Sequence, residues 1–208
     1  MATRKTLKVL GISGSLRQAS VNSGLLRSAA SSAARLNSNP SATTAPASPV
    51  VDYSFDFKIY DGMKDIPLYD GDVEAQTKPE SVLRFRRAID EADALLIASP
   101  EYNYSFSGVL KNAIDWASRN WDGHMPLAGK PAAIMGAGGV SGSSRSQYHL
   151  RQVLVGVGMP VLLRPEVMIN AFVPGSFDAN GDLIHEPTKA EIERQLLALA
   201  LWADRLRG

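Results

Sequence analysis

Apolar residues in this chain gather in short, nearly continuous runs, separated by longer stretches in which they recur every three or four positions. The runs are Leu7–Ile12, Phe55–Tyr60, Asp93–Ser99, Pro131–Ala137 and Pro160–Pro165. Short runs without strict alternation are what strands covered on both faces of a parallel sheet require. The helical period is plain at Leu25, Leu26, Ala29, Ala30 and Ala33, and again at Leu110, Ala113, Ile114 and Ala117. A third stripe, Ile192, Leu196, Leu199 and Ala203, follows Thr188 and Glu191, whose spacing predicts a capping box at the start of the last helix. Strand and helix alternate throughout. This predicts an α/β fold, a doubly wound sheet of five parallel strands in order 2-1-3-4-5 with helices on both faces, with residues 1–208 forming one domain.

One segment breaks the pattern. Leu36 to Val51, "LNSNPSATTAPASPVV", is rich in Ser, Ala, Pro and Thr and has neither period. It is expected to be a surface insertion between the first helix and the second strand, mobile at its centre over about residues 37–50.

Composition removes several kinds of function. With 22 basic and 21 acidic residues, net charge +1, there is no field or tract suited to nucleic acid. The absence of cysteine excludes disulfides, iron–sulfur clusters and thiolate chemistry, and fits a reducing compartment. The longest apolar stretch, Val153–Leu163, contains Gly and Pro and is far short of the roughly 18 residues a membrane span needs. No signal-peptide core precedes the first strand, so a cytoplasmic protein is expected. His124, His149 and His185 show no ligand spacing, and no metal site is assigned.

The candidate chemistry lies in three strand-to-helix loops. In the first, "SGSLRQASVN" (Ser13–Asn22), hydroxyls, a glycine and an arginine stand where a helix begins. First-turn amides are unpaired there and the helix dipole favours an anion, so a phosphate fits, with Arg17 as a planar, bidentate donor. The loop is neither G-x-x-x-x-G-K-[ST] nor G-x-G-x-x-G. The plainer alternative is a helix capped by Ser20 or Asn22 beside a solvated Arg17. The second loop, within "SPEYNYSFSGVLKNAIDW" (Ser99–Trp116), follows the third strand and so adjoins the first at the switch point of the sheet. Pro100, Tyr102, Tyr104 and the amides around Glu101 and Asn103 would frame a flat heteroaromatic ring; alone, this is a turn packing two tyrosines. In the third, "MGAGGVSGSSRSQ" (Met135–Gln147), glycines let backbone approach a ligand, although Ser141 stands where a dinucleotide fingerprint needs its last glycine.

Taken in order, "GSLRxxSxN", "PEYNxSxxGxLKNAIDW" and the Gly/Ser-rich turn resemble the NAD(P)H-dependent FMN reductases of the flavodoxin-like fold, a group that includes chromate and quinone reductases and azoreductase-like enzymes. "DIPLYDGDVE" (Asp65–Glu74) extends the likeness, and the Ser/Pro-rich insertion departs from it. The resemblance implies that Ser13, Ser15, Arg17, Ser20 and Asn22 hold the FMN phosphate. Pro100, Glu101, Tyr102, Asn103 and Tyr104 would line the isoalloxazine, with Gly136, Ala137, Gly138 and Gly139 at its pyrimidine side. It departs from the commoner third turn, which ends in Arg-Ala, because Ser146 follows Arg145 here.

The resemblance further implies hydride transfer from NADPH or NADH to the flavin N5, so no side chain is expected to be catalytic by itself. Arg145 or Arg17 would meet the 2′-phosphate of NADPH. Quinones, free flavin, chromate and azo compounds are the expected acceptors, used in a ping-pong cycle, and a homodimer or homotetramer is expected. The alternative is a flavodoxin-type electron carrier without turnover of its own. Such carriers are usually strongly acidic, whereas this chain stands at +1.

Overall fold

In a computed structural model describing residues 4–39 and 53–207, the chain alternates strand and helix as its periodicity requires. β1 (Lys5–Ser13) leads through the first loop to α1 (Val21–Ser38), and β2 (Tyr53–Ile59) is followed by a 3-10 turn at Met63–Asp65. Next come α2 (Gly71–Gln76), α3 (Glu80–Glu91), β3 (Ala94–Ala98), α4 (Gly108–Ala117), β4 (Ala132–Gly138), α5 (Ser144–Gly156), β5 (Val167–Asn170) and α6 (Glu186–Leu206). The five strands are all parallel and lie in the expected order β2-β1-β3-β4-β5.

The period of two in the strands divides the core. Leu10, Ile12, Leu95, Ile97 and Ile134 pack beneath α3, α4 and α5, with Phe85, Ile89, Trp116 and Leu150. Leu7, Val9, Leu96 and Ala98 face α1 and α6, where Leu25, Leu26, Leu36, Leu196 and Leu199 meet them. Every residue of the central β3 is buried, which explains its unbroken apolar run. Removing each large aliphatic side chain from water here contributes about 1.5–3 kcal/mol.

Arg86 holds α4 in place. Its guanidinium is buried without a carboxylate and donates to the carbonyls of Trp116, Ala117, Arg119 and His124 at 3.2, 3.1, 2.8 and 3.1 Å. A cation at this helix C-terminus satisfies carbonyls that have no intrahelical donor.

Three details differ from the sequence reading. Pro160–Pro165 is not the fifth strand: Val161 forms a single parallel bridge to Ala132, and the ladder resumes at Val167. Prolines at both ends of that run remove two N–H donors, and only Leu162 donates to Ala132, at 2.8 Å. The last helix has no Thr188–Glu191 capping box. It begins at Glu186 behind His185, because Pro187 suits a first turn whose N–H is unpaired anyway, and Thr188 Oγ1 instead bonds His185 Nδ1 at 2.8 Å. Finally, residues 36–38 belong to α1: Leu36 is buried, and the Asn37 amide exchanges two hydrogen bonds with the Phe55 backbone, at 2.9 and 2.8 Å. Beyond Asn39, which caps α1, the remainder of the expected insertion, residues 40–51, lies outside the described residues.

Candidate active site

The loops after β1, β3 and β4 meet at the carboxyl ends of the strands, and a few contacts determine how closely. Gly14 N–H donates to Ala98 O at 2.8 Å, and Ser107 Oγ, which also caps α4, donates to Gly14 O at 2.6 Å. A Cβ on Gly14 would stand 3.0 Å from that hydroxyl and 3.1 Å from Pro100 Cδ, so glycine permits the close approach of the first two loops. The Asn22 amide is spent on the Ala137 backbone, donating to its oxygen and accepting from its N–H, both at 3.0 Å. It ties the start of α1 to the end of β4.

These loops enclose a cavity of about 310 Å³, lined from the expected set by Ser15, Arg17, Ser20, Asn22, Pro100, Glu101, Tyr102, Ala137, Gly138 and Gly139. Four expected residues stand outside its lining. Ser13 supports the first loop from below, meeting Ser15 N and Ser23 Oγ at 3.2 and 3.0 Å. Gly136 packs within the sheet, where a Cβ would collide with Ser99 O and Ser143 Oγ. Asn103 and Tyr104 form the exposed tip of a turn closed by Tyr102 and Ser105, both with left-handed φ, 50° and 68°. Val21, Ala171 and Phe172 line the cavity without having been expected. A larger space of about 470 Å³ lies on the far side of α1, against the chain leading into α6. Its charges pair off as Arg27–Asp182, Arg35–Glu193 and Lys189–Glu186.

The electrostatics of the smaller cavity are one-sided at the start of α1. Ser20 Oγ accepts from Ser23 N–H at 3.3 Å as the N-cap, leaving its own O–H to donate outward. The first turn of α1 carries no acidic residue, and the exposed Arg17 guanidinium makes no hydrogen bond or ion pair among the described residues. An anion would satisfy all of these together.

Across the cavity the charge is already balanced. Glu101 is almost enclosed, its side chain 6% exposed, and accepts from Arg145 Nε at 2.6 Å and Ser141 Oγ at 3.1 Å. Burial alone would raise its carboxyl, but the hydrogen bonds from Arg145, Ser141 and the Ser146 backbone prevail and hold it below the ordinary value of 4.5. Arg145 also stacks on Tyr104, 3.9 Å from the ring centre, and so steadies the left-handed turn. The pair joins the second loop to the third. Because the carboxylate is the buried partner, Arg145→Ala should cost about 2–3 kcal/mol in urea unfolding and Glu101→Gln only about 1 kcal/mol. A group with a lowered folded value stabilises above its unfolded value and loses that contribution as pH falls through the folded one. The Glu101 contribution should therefore be lost as the pH falls below about 4.5, and because Glu74 and Asp204 are lowered as well, Glu101→Gln should show a smaller acid-side loss than the wild type rather than none.

Comparison with known proteins agrees with this geometry. Residues 7–173 match the family model described as NADPH-dependent FMN reductase. An NAD(P)H-dependent FMN reductase of Pseudomonas aeruginosa is 47% identical over 203 residues, 97% of this chain and 98% of that one. An NAD(P)H:quinone oxidoreductase of Solanum tuberosum is 42% identical, with 100% and 98% covered. Among solved structures, the flavoenzyme NAD(P)H:(acceptor) oxidoreductase FerB of Paracoccus denitrificans superposes with a TM-score of 0.75 at 32% identity, covering 96% and 98% of the two chains. The chain belongs to the NADPH-dependent FMN reductase family. It is an oxidoreductase of flavodoxin-like fold that uses FMN, with NAD(P)H as reductant.

The residues present fit FMN. Arg17, the Ser20 hydroxyl and the α1 amides form a donor set for a phosphate dianion. A Cβ at Gly139 would meet only the Phe172 ring, at 3.8 Å, so the glycine leaves open a space that any side chain would fill. No helix among the described residues is long and apolar enough to cross a membrane.

Proposed function

We propose that this enzyme oxidises NAD(P)H and passes two electrons to quinones, with free flavin as a further acceptor, at the cavity between the β1, β3 and β4 loops. Overall, NAD(P)H, a proton and a quinone become NAD(P)⁺ and a hydroquinone. FMN, when bound, supplies the chemistry by accepting a hydride and passing two electrons on. The protein holds and orients it. The observation that carries this reading is Arg17, without a partner among the described residues, beside an α1 terminus without an acidic residue, on a cavity whose other side is glycine backbone and aromatic rim.

In this reading Arg17, the Ser20 O–H and the first amides of α1 bind the phosphate. The Ser15 hydroxyl lies on the same wall. Asn22 acts at one remove, because its amide is committed to Ala137 and fixes the distance between the phosphate end and the glycine loop. Pro100, Glu101 and Tyr102 form the wall for the flat ring, with Glu101 kept ionised and out of the chemistry by Arg145. Since Arg145 is engaged with Glu101 and Tyr104, a 2′-phosphate would have to compete for it.

A single open mouth serves reductant and acceptor in turn. Initial-rate measurements that vary NADPH at several fixed concentrations of 1,4-naphthoquinone should give parallel double-reciprocal lines. Intersecting lines would show that both occupy the site together and would reject the shared mouth.

A further inference from the structure

Phe172 is a large apolar ring left in water at the end of β5. It follows β5, where Ala171 N–H donates to Gly138 O at 2.8 Å and Phe172 N–H donates to Asn170 Oδ1 at 3.0 Å. Both flanking groups are thus tied to strand ends, yet the residue is 79% exposed. It lines the cavity rather than a flat surface, beside the space that Gly139 leaves open. A second aromatic, Tyr102, comes from the β3 loop, is 48% exposed and lines the same cavity. Exposed apolar rings on a concave rim gain free energy when a flat apolar ligand covers them, and aromatic faces favour offset stacking.

We propose that Phe172 determines acceptor specificity: with Tyr102 it forms an aromatic rim that favours planar, fused-ring quinones over small inorganic oxidants. This rests on the quinone reading given above and names its substrate class more closely. Arg17 and the α1 terminus hold the cofactor in that reading and do not discriminate among acceptors, whereas the rim meets whatever enters.

The test uses the FMN-loaded enzyme at saturating NADPH, with 1,4-naphthoquinone and ferricyanide as acceptors. In Phe172→Ala the ratio of kcat/KM for naphthoquinone to that for ferricyanide should fall about tenfold, through KM for the quinone, as expected for losing most of one ring's burial. Phe172→Trp should restore the ratio to the wild-type value or above. Titrating the oxidised holoenzyme with 1,4-naphthoquinone, followed by the flavin absorption band, should show Kd for the quinone rising in Phe172→Ala and recovering in Phe172→Trp. An unchanged ratio, an equal loss for both acceptors, or no recovery with tryptophan would overturn the proposal. So would a change in oligomeric mass with the ratio intact, which would make the ring a contact between copies. A wild type that holds no flavin or does not oxidise NADPH would instead overturn the function on which the proposal rests.

Discussion

Arg17→Ala is expected to weaken FMN binding roughly ten- to a hundredfold and to leave the rate of flavin reduction by NADPH, measured at saturating FMN, within about twofold. The first part follows from the charge arrangement. Arg17 is exposed and has no partner among the described residues, so its removal costs the fold little and withdraws a charge-assisted donor from the phosphate. Such a bond is worth about 1.5–3 kcal/mol. The second part follows from where that energy is spent. A contact to the phosphate is equally strong before and during electron transfer, and so it changes affinity without changing the chemical step. Flavin titration and stopped-flow reduction of the same variant separate the two.

Gly24→Ala is expected to destabilise the protein by about 3 kcal/mol or more, lowering Tm by roughly 6–12 °C for a chain of this size. Gly24 lies one turn into α1, and a Cβ there would collide with the Gly181 carbonyl oxygen and stand 2.9 Å from its carbon. The obstacle is backbone, so no rotamer change relieves it. At Gly181, φ 77°, a Cβ would in turn stand 2.8 Å from Ala19 O and 3.0 Å from Ser20 C, so the turn has little room on that side, and Arg27 pairs with Asp182 beside it. Either this turn or the start of α1 must move, and the start of α1 carries Ser20, Val21 and Asn22 into the cavity. Loss of stability should therefore come with weaker FMN retention. A Tm within 2 °C of wild type would show that the contact yields easily.

Much of the fold was legible in the sequence, because β3 and β4 are unbroken apolar runs, β1 holds the nearly continuous run Leu7–Ile12, and α1, α4 and α6 carry clear helical stripes. The fifth strand was not. Val161–Leu163 within Pro160–Pro165 is as long an apolar stretch as Val167–Ile169 of β5, and only the requirement for N–H donors opposite β4 decides between them. The Thr188–Glu191 spacing misled for a related reason: a capping pattern marks a local preference, and Pro187 allowed an earlier start. In the site, glycines and hydroxyls at loop positions were readable because their chemistry depends on backbone proximity. Phe172 was not, since a phenylalanine in "NAFVPG" looks like core until burial is known. Nor did the sequence reveal that Asn22 is committed to Ala137, or that Arg145 is paired with Glu101 across 44 residues.

The central claim is that the first loop and the α1 terminus bind the phosphate of FMN. Fluorescence titration of the flavin-free protein with FMN and with riboflavin, which has the same ring and no phosphate, tests it in wild type and in Arg17→Ala. The wild type should prefer FMN strongly, and Arg17→Ala should lose most of that preference while its affinity for riboflavin stays the same. Equal binding of FMN and riboflavin by the wild type, or a preference that survives in Arg17→Ala, would contradict the account.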